Sequence, residues 1–182
     1  MKKLSQSLFV AALLFTGSTV FAQTTVVGGE NMYPAKNIVE NAVNSKDHTT
    51  LVAAVKAADL VETLQTAGPF TVFAPVNDAF ENLPEGTVGE LLKPENKAKL
   101  TKVLTYHVVA GNYDFTTLEK AIKKGKGQAS LKTVAGEELT FKMNGPRNIT
   151  VTDKNGNTAN ITTYDVRQKN GVIHVIDTVL LP

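Results

Sequence analysis

An α+β fold is predicted by three features of the chain. Apolar residues recur at helical spacing through much of residues 37–125, and turn-bounded β runs fill the stretch beyond Ala129. A single continuous apolar strand, "FTVFA" (Phe70 to Ala74), interrupts the helical half. Alternating βαβ units would spread strands evenly along the chain, and this sequence instead segregates helices from hairpins.

The elements follow in order. "QTTVVGGENMYPAK" (residues 23–36) shows no sustained period and reads as a leader segment outside the domain proper. "NIVE" (Asn37 to Glu40) has capping-box spacing, so a short helix is predicted to open at Asn37. "HTTLVAAVKAADLVETL" (His48 to Leu64) carries Leu51, Val55 and Ala58 on one face, then a fresh apolar start beyond Asp59, the pattern of two helices with a break. Phe70 to Ala74 is apolar at almost every position and is predicted to be a strand buried on both faces, ended by Pro75. In "KPENKAKLTKVLTYHVV" (Lys93 to Val109), Leu100, Val103, Leu104 and His107 fall on one helical face. "TTLE" (Thr116 to Glu119) has capping-box spacing again, and "KKG" (Lys123 to Gly125) supplies basic residues and a glycine to end that helix. Three hairpins follow, turning at Ala135–Glu138, at Asn155-Gly156 and at Lys169–Gly171, with "ANITTY" and "DVRQ" read as separate runs.

The N-terminus indicates the compartment. Lys2 and Lys3 precede the apolar run Leu8 to Phe15, and "VFA" (Val20 to Ala22) ends in residues permitted before a cut. This is the pattern of a secretory signal peptide, residues 1–22, with cleavage expected between Ala22 and Gln23. The run falls short of the roughly 20 residues a membrane span requires, and "GVIHVIDTVLL" is interrupted by His174 and Asp177, so no membrane span is expected. Removing Lys2 and Lys3 leaves as many basic residues as acidic ones, a balance that argues against nucleic acid as a partner. The chain has no cysteine and so no disulfide framework or thiol-linked lipid. A mature chain of about 160 residues suits one domain that buries its own core.

Reactive chemistry finds little footing. Beyond the signal the serines are Ser45 and Ser130, neither in a nucleophile elbow, and no cysteine replaces them. His48, His107 and His174 stand apart, without metal-ligand spacing. "DKNGN" (Asp153 to Asn157) starts like a calcium loop, but its glycine stands at the fourth position and Tyr164 occupies the place of the bidentate acid. No catalytic residue, cofactor or metal is expected. His107 lies on an apolar stripe, and a buried imidazole requires a hydrogen-bond partner, so a structural role is expected for it. Asp78 is expected to cap the helix after Pro75, with Glu81 completing an acidic box, while Asn77 bridges the turn. Asn77 or Asp78 is further expected to reach His107 and so tie the central strand to the long helix.

Three blocks in order, "GPFTVFAPVNDAF" (Gly68 to Phe80), "LTYHVVAG" (Leu104 to Gly111) and "NGVIHVIDTVLLP" (Asn170 to Pro182), resemble the signature segments of the fasciclin domain. The resemblance covers residues 37–182 and implies one such domain, a β-sandwich wedge with helices packed against it. It also implies a secreted, periplasmic or extracellular, non-enzymatic adhesion module whose partner is a cell-surface or matrix protein or a polysaccharide. A tentative adhesion segment maps to Tyr106 and His107. The rival reading is a carrier of a small apolar ligand, held between helices and sheet by residues such as Leu118, Ile122, Leu139 and Phe141. Nothing in the residues indicates the oligomeric state.

Overall fold

Pairing of two largely apolar strands, Phe70–Pro75 and Gly171–Ile176, organises the described residues. A computed structural model describes residues 24–182; the expected signal segment lies outside the described residues. Strand β1 (Thr25–Val27) and β2 (Glu30–Met32) form a hairpin of their own. The remaining strands are β3 (Phe70–Pro75), β4 (Val108–Ala110), β5 (Gln128–Lys132), β6 (Glu138–Met143), β7 (Ile149–Thr152), β8 (Thr158–Gln168) and β9 (Gly171–Ile176). They lie in the order β4-β3-β9-β8-β7-β6-β5. β3 runs parallel to β9, with Phe73 opposite His174, and every other pair is antiparallel. The helices are α1 (Ile38–Ala42), α2 (Thr49–Ala57), α3 (Val61–Gln65), α4 (Asn77–Glu81), α5 (Thr87–Leu91), α6 (Lys97–Tyr106) and α7 (Phe115–Lys124). The chain is α+β.

The runs "ANITTY" and "DVRQ" prove to be one long strand, β8. Its first residues pair with β7 and its last with β9, and the register shifts on both sides of Thr163. Asp165 takes φ +56 within this stretch, and such bulges bend a strand sharply. β8 therefore carries the sheet from one layer into the other. The far end curls back: Val109 bridges Thr133, and the Val134 N–H donates to the Val108 carbonyl at 2.7 Å. The wedge so formed encloses Phe73, Tyr106, Phe141, Val151 and Leu180, with Leu118 and Ile122 of α7 closing one side. The opposite face of β3 and β9 presents Val72, Ala74, Ile173 and Val175 to α1 and α3. β3 is buried on both faces because each face meets a different layer.

Local signals set most helix ends. Asn37 and Glu40 form a reciprocal capping box at α1, and Asp59, at φ +55, separates α2 from α3. One helix end and the leader differ from expectation. The cap of α7 is Asp114, whose Oδ1 accepts the Thr117 N–H at 2.9 Å, so Thr116 and Glu119 lie inside the helix and Glu119 pairs with Lys123 instead. The leader contains the β1–β2 hairpin, whose two-residue turn is Gly28-Gly29, both at positive φ. Its strands are too short to show a period, but a Gly-Gly pair is itself a hairpin signal. Val27 and Met32 of this hairpin are buried in the layer of α1 and α3.

Candidate functional site

The polar residues singled out in the sequence serve as internal anchors, though not in the arrangement expected. Asn77 is the first residue of α4. Its Oδ1 accepts from the Thr50 N–H at 3.0 Å and from the Thr49 hydroxyl at 3.2 Å, and its Nδ2 donates to the Lys46 carbonyl at 2.8 Å. The Thr50 N–H is one of the orphan donors at the start of α2, and that helix's own N-cap, His48, makes no side-chain cap bond. Asn77 thus caps a helix 27 residues upstream. Asp78 caps nothing: α4 begins at Asn77 with Val76 at the cap position, which leaves Asp78 one residue inside the helix. Neither residue reaches His107. Replacing Asn77 with alanine is expected to cost about 1–2 kcal/mol through the lost cap of α2. Asp78→Ala is expected to stay within about 0.5 kcal/mol of the parent. Paired thermal unfolding curves check both, and the reverse ranking contradicts the assignment.

Tyr106 and His107 face inward. Tyr106 is 0% and His107 3% exposed. The Tyr106 hydroxyl donates to the Glu138 carbonyl and accepts the Lys154 N–H, each at 3.1 Å. His107 follows directly on α6, with Nδ1 2.8 Å from the Val103 carbonyl and Nε2 3.0 Å from the Leu180 N–H. The Leu180 N–H only donates, so Nε2 accepts, and the proton sits on Nδ1, donated to Val103. The ring is therefore neutral, and burial pushes its pKa down to about 4. These bonds fasten α6 to β6, to the β7–β8 turn and to the C-terminal segment. The adhesion segment mapped to Tyr106 and His107 is corrected accordingly, since neither side chain offers surface to a partner.

His174 repeats the pattern. Its Nε2 donates to the Tyr113 carbonyl at 2.8 Å, and its ring stacks on Phe73 with centroids 5.6 Å apart. Burial again lowers its pKa. Asn170 was legible only as a turn residue. It is a buried hub, accepting from the Ile38 N–H and donating to the carbonyls of Leu64 and Thr66, which ties the β8–β9 turn to α1 and α3.

The apolar space lies elsewhere than expected. Leu118, Ile122, Leu139 and Phe141 are fully packed into the wedge core. A cavity of about 90 Å³ lies instead on the other face of β3 and β9, lined by Val27, Met32, Ile38, Leu64, Val72 and Ile173 among others. Ser45 and His48 also line it. His48 is 3% exposed, and its Nδ1 lies 2.8 Å from the Ser45 hydroxyl. Its Nε2 makes no hydrogen bond among the described residues, although the Ala74 backbone lies close to the ring. Burial pushes the His48 pKa down, favouring the neutral ring. Among the described residues no group of His, Cys, Asp and Glu is placed to hold a metal, and no helix is long and apolar enough to cross a membrane.

A family model for the fasciclin domain matches residues 46–182. The chain belongs to the fasciclin domain family. Protein sll1483 of Synechocystis is 51% identical over 152 residues, spanning 81% of this chain and 74% of that protein. Transforming growth factor-beta-induced protein ig-h3 of Sus scrofa is 35% identical over 150 residues, 82% of this chain but 20% of that much longer protein. Among solved structures, a FAS1 domain pair from the insect cell adhesion molecule Fasciclin I superposes with a TM-score of 0.71 over 81% of this chain and 51% of that one. Sequence identity there is 18%, so that likeness concerns the fold. The fasciclin fold accounts for the wedge, and the three signature blocks supply its internal ties: β3 and the Asn77 turn, Tyr106 and His107, and β9 with Asn170.

Proposed function

We propose that this fasciclin domain is a secreted, non-enzymatic surface-interaction module that binds a cell-surface or matrix protein or a polysaccharide. The observation that carries this reading is the fasciclin match over residues 46–182, in a fold shared with a cell adhesion molecule. The use of polar groups agrees with it. Tyr106, His107 and His174 direct their hydrogen-bonding atoms at backbone partners inside the protein, and Asn77 directs its own at backbone groups and the Thr49 hydroxyl at the start of α2. Contacts with a partner then belong to exposed side chains, among which Val26, Tyr33 and Val43 are large and apolar.

Labelled protein purified from its host, titrated over host cells, matrix proteins and polysaccharides, is expected to bind one of these saturably. Absence of saturable binding on all three overturns the proposal. Fractionation is expected to recover a form beginning at Gln23 outside the cytoplasm. A cytoplasmic form retaining Met1 contradicts secretion.

A further inference from the structure

The cavity behind β3 combines three features that packing alone does not require. Its wall is apolar almost throughout. Its one buried ring nitrogen without a partner belongs to His48, and an unpaired polar atom in such surroundings is costly. Its cover is the β1–β2 hairpin, which contributes Val27 and Met32 to the lining. The hairpin is docked through Gly28. A Cβ on Gly28 would stand 2.4 Å from the Ser45 hydroxyl and under 3 Å from the Lys46 and Asp47 nitrogens. The turn of the cover thus rests on the same Ser45 that pairs with His48. Val27, Met32, Ile38, Val39, Ala42 and Ser45 all precede Lys46, where the match to the fasciclin family model begins.

We propose that this cavity is a binding site for a small neutral, largely apolar molecule bearing one hydrogen-bonding group, which pairs with His48 Nε2 beneath the hairpin. Empty apolar cavities stay dry and accept apolar guests; one of about 150 Å³ holds benzene. The present cavity is smaller, and the guest is therefore no larger than a single ring or short chain. The flexible Met32 side chain supplies the adjustment such a guest needs. Neutral His48 serves a donor or an acceptor, because Ser45 can give or take the proton at Nδ1.

Phenol and toluene, nearly equal in shape and differing in one hydroxyl, separate the two parts of this assignment. Each is titrated into the full chain and followed by the methyl resonances of Val27, Met32, Ile38 and Ile173. Phenol is expected to bind saturably and about tenfold more tightly than toluene, the worth of one hydrogen bond. In Ser45→Ala/His48→Leu the preference is expected to reverse. In Gly28→Ala, whose added methyl lifts the hairpin, phenol is expected to exchange faster and bind more weakly. No shift of these methyls with either probe overturns the proposal. So does equal affinity for both probes in the parent protein, a result that requires no variant to fold.

Discussion

Replacing His107 with alanine is expected to destabilise the fold by about 4 kcal/mol. Two losses add. The Leu180 N–H is left without its acceptor inside the protein, at about 1–3 kcal/mol for a buried unsatisfied group. Removing a buried ring also leaves a void, and large-to-small changes at such sites cost about 2–5 kcal/mol. At roughly 2–4 °C per kcal/mol for a chain of this size, the melting temperature falls by about 10 °C. Thermal unfolding followed by circular dichroism measures this directly, and a shift within 2 °C, roughly one kcal/mol or less, contradicts the anchoring role. The C-terminal segment is expected to loosen first, since Leu180 loses its tie to α6. Amide exchange at Leu180 reads that step.

Acid is expected to produce the second large effect. His107 has a pKa of about 4 in the fold against an ordinary 6.5. Below pH 6.5 the unfolded chain takes up a proton that the folded chain refuses, so stability falls as pH drops, from 6.5 down to about 4. For His107 alone that loss is about 3 kcal/mol. His48 and His174 are lowered by burial too and add losses of the same sign. Asp114, held low first by the Thr117 hydroxyl, and Glu137, held low by Lys102 and Lys154, extend the decline only below their ordinary values of 3.8 and 4.5. Denaturant unfolding at a series of pH values is expected to show stability rising from pH 4 to pH 6.5 and flat above. Stability constant across that window contradicts the neutral, buried histidines.

Much of the architecture was readable because its causes are local. A capping box spans three residues, so Asn37 and Glu40 announced α1 before any tertiary contact was known. The all-apolar stretch Phe70 to Ala74 implied a strand covered on both faces, and the stripe Leu100, Val103, Leu104 implied that His107 turns inward. Legibility ended where a side chain's partner lies far along the chain. Asn77 caps α2 because the fold brings Lys46–Thr50 to the start of α4, and no spacing rule encodes that meeting. Asp78 has the composition of a cap, yet α4 begins two residues too early for it to be one. The sequence places an apolar pocket among Leu118, Ile122, Leu139 and Phe141, since those residues share a helix–sheet interface. The parallel pairing of β3 with β9 creates a second interface on the opposite face, and the short hairpin that covers it carries no periodic signal.

The protonation of the His107 ring tests most directly whether the Tyr106–His107 segment is internal scaffolding. Nitrogen-15 NMR of the imidazole, recorded as pH is lowered, reports tautomer and charge together. The packing of His107 between Val103 and Leu180 requires a neutral ring with its proton on Nδ1, unchanged through pH 6.5 and protonating only near 4. A ring that titrates near 6.5 with both tautomers in fast exchange is a ring in water, and contradicts it.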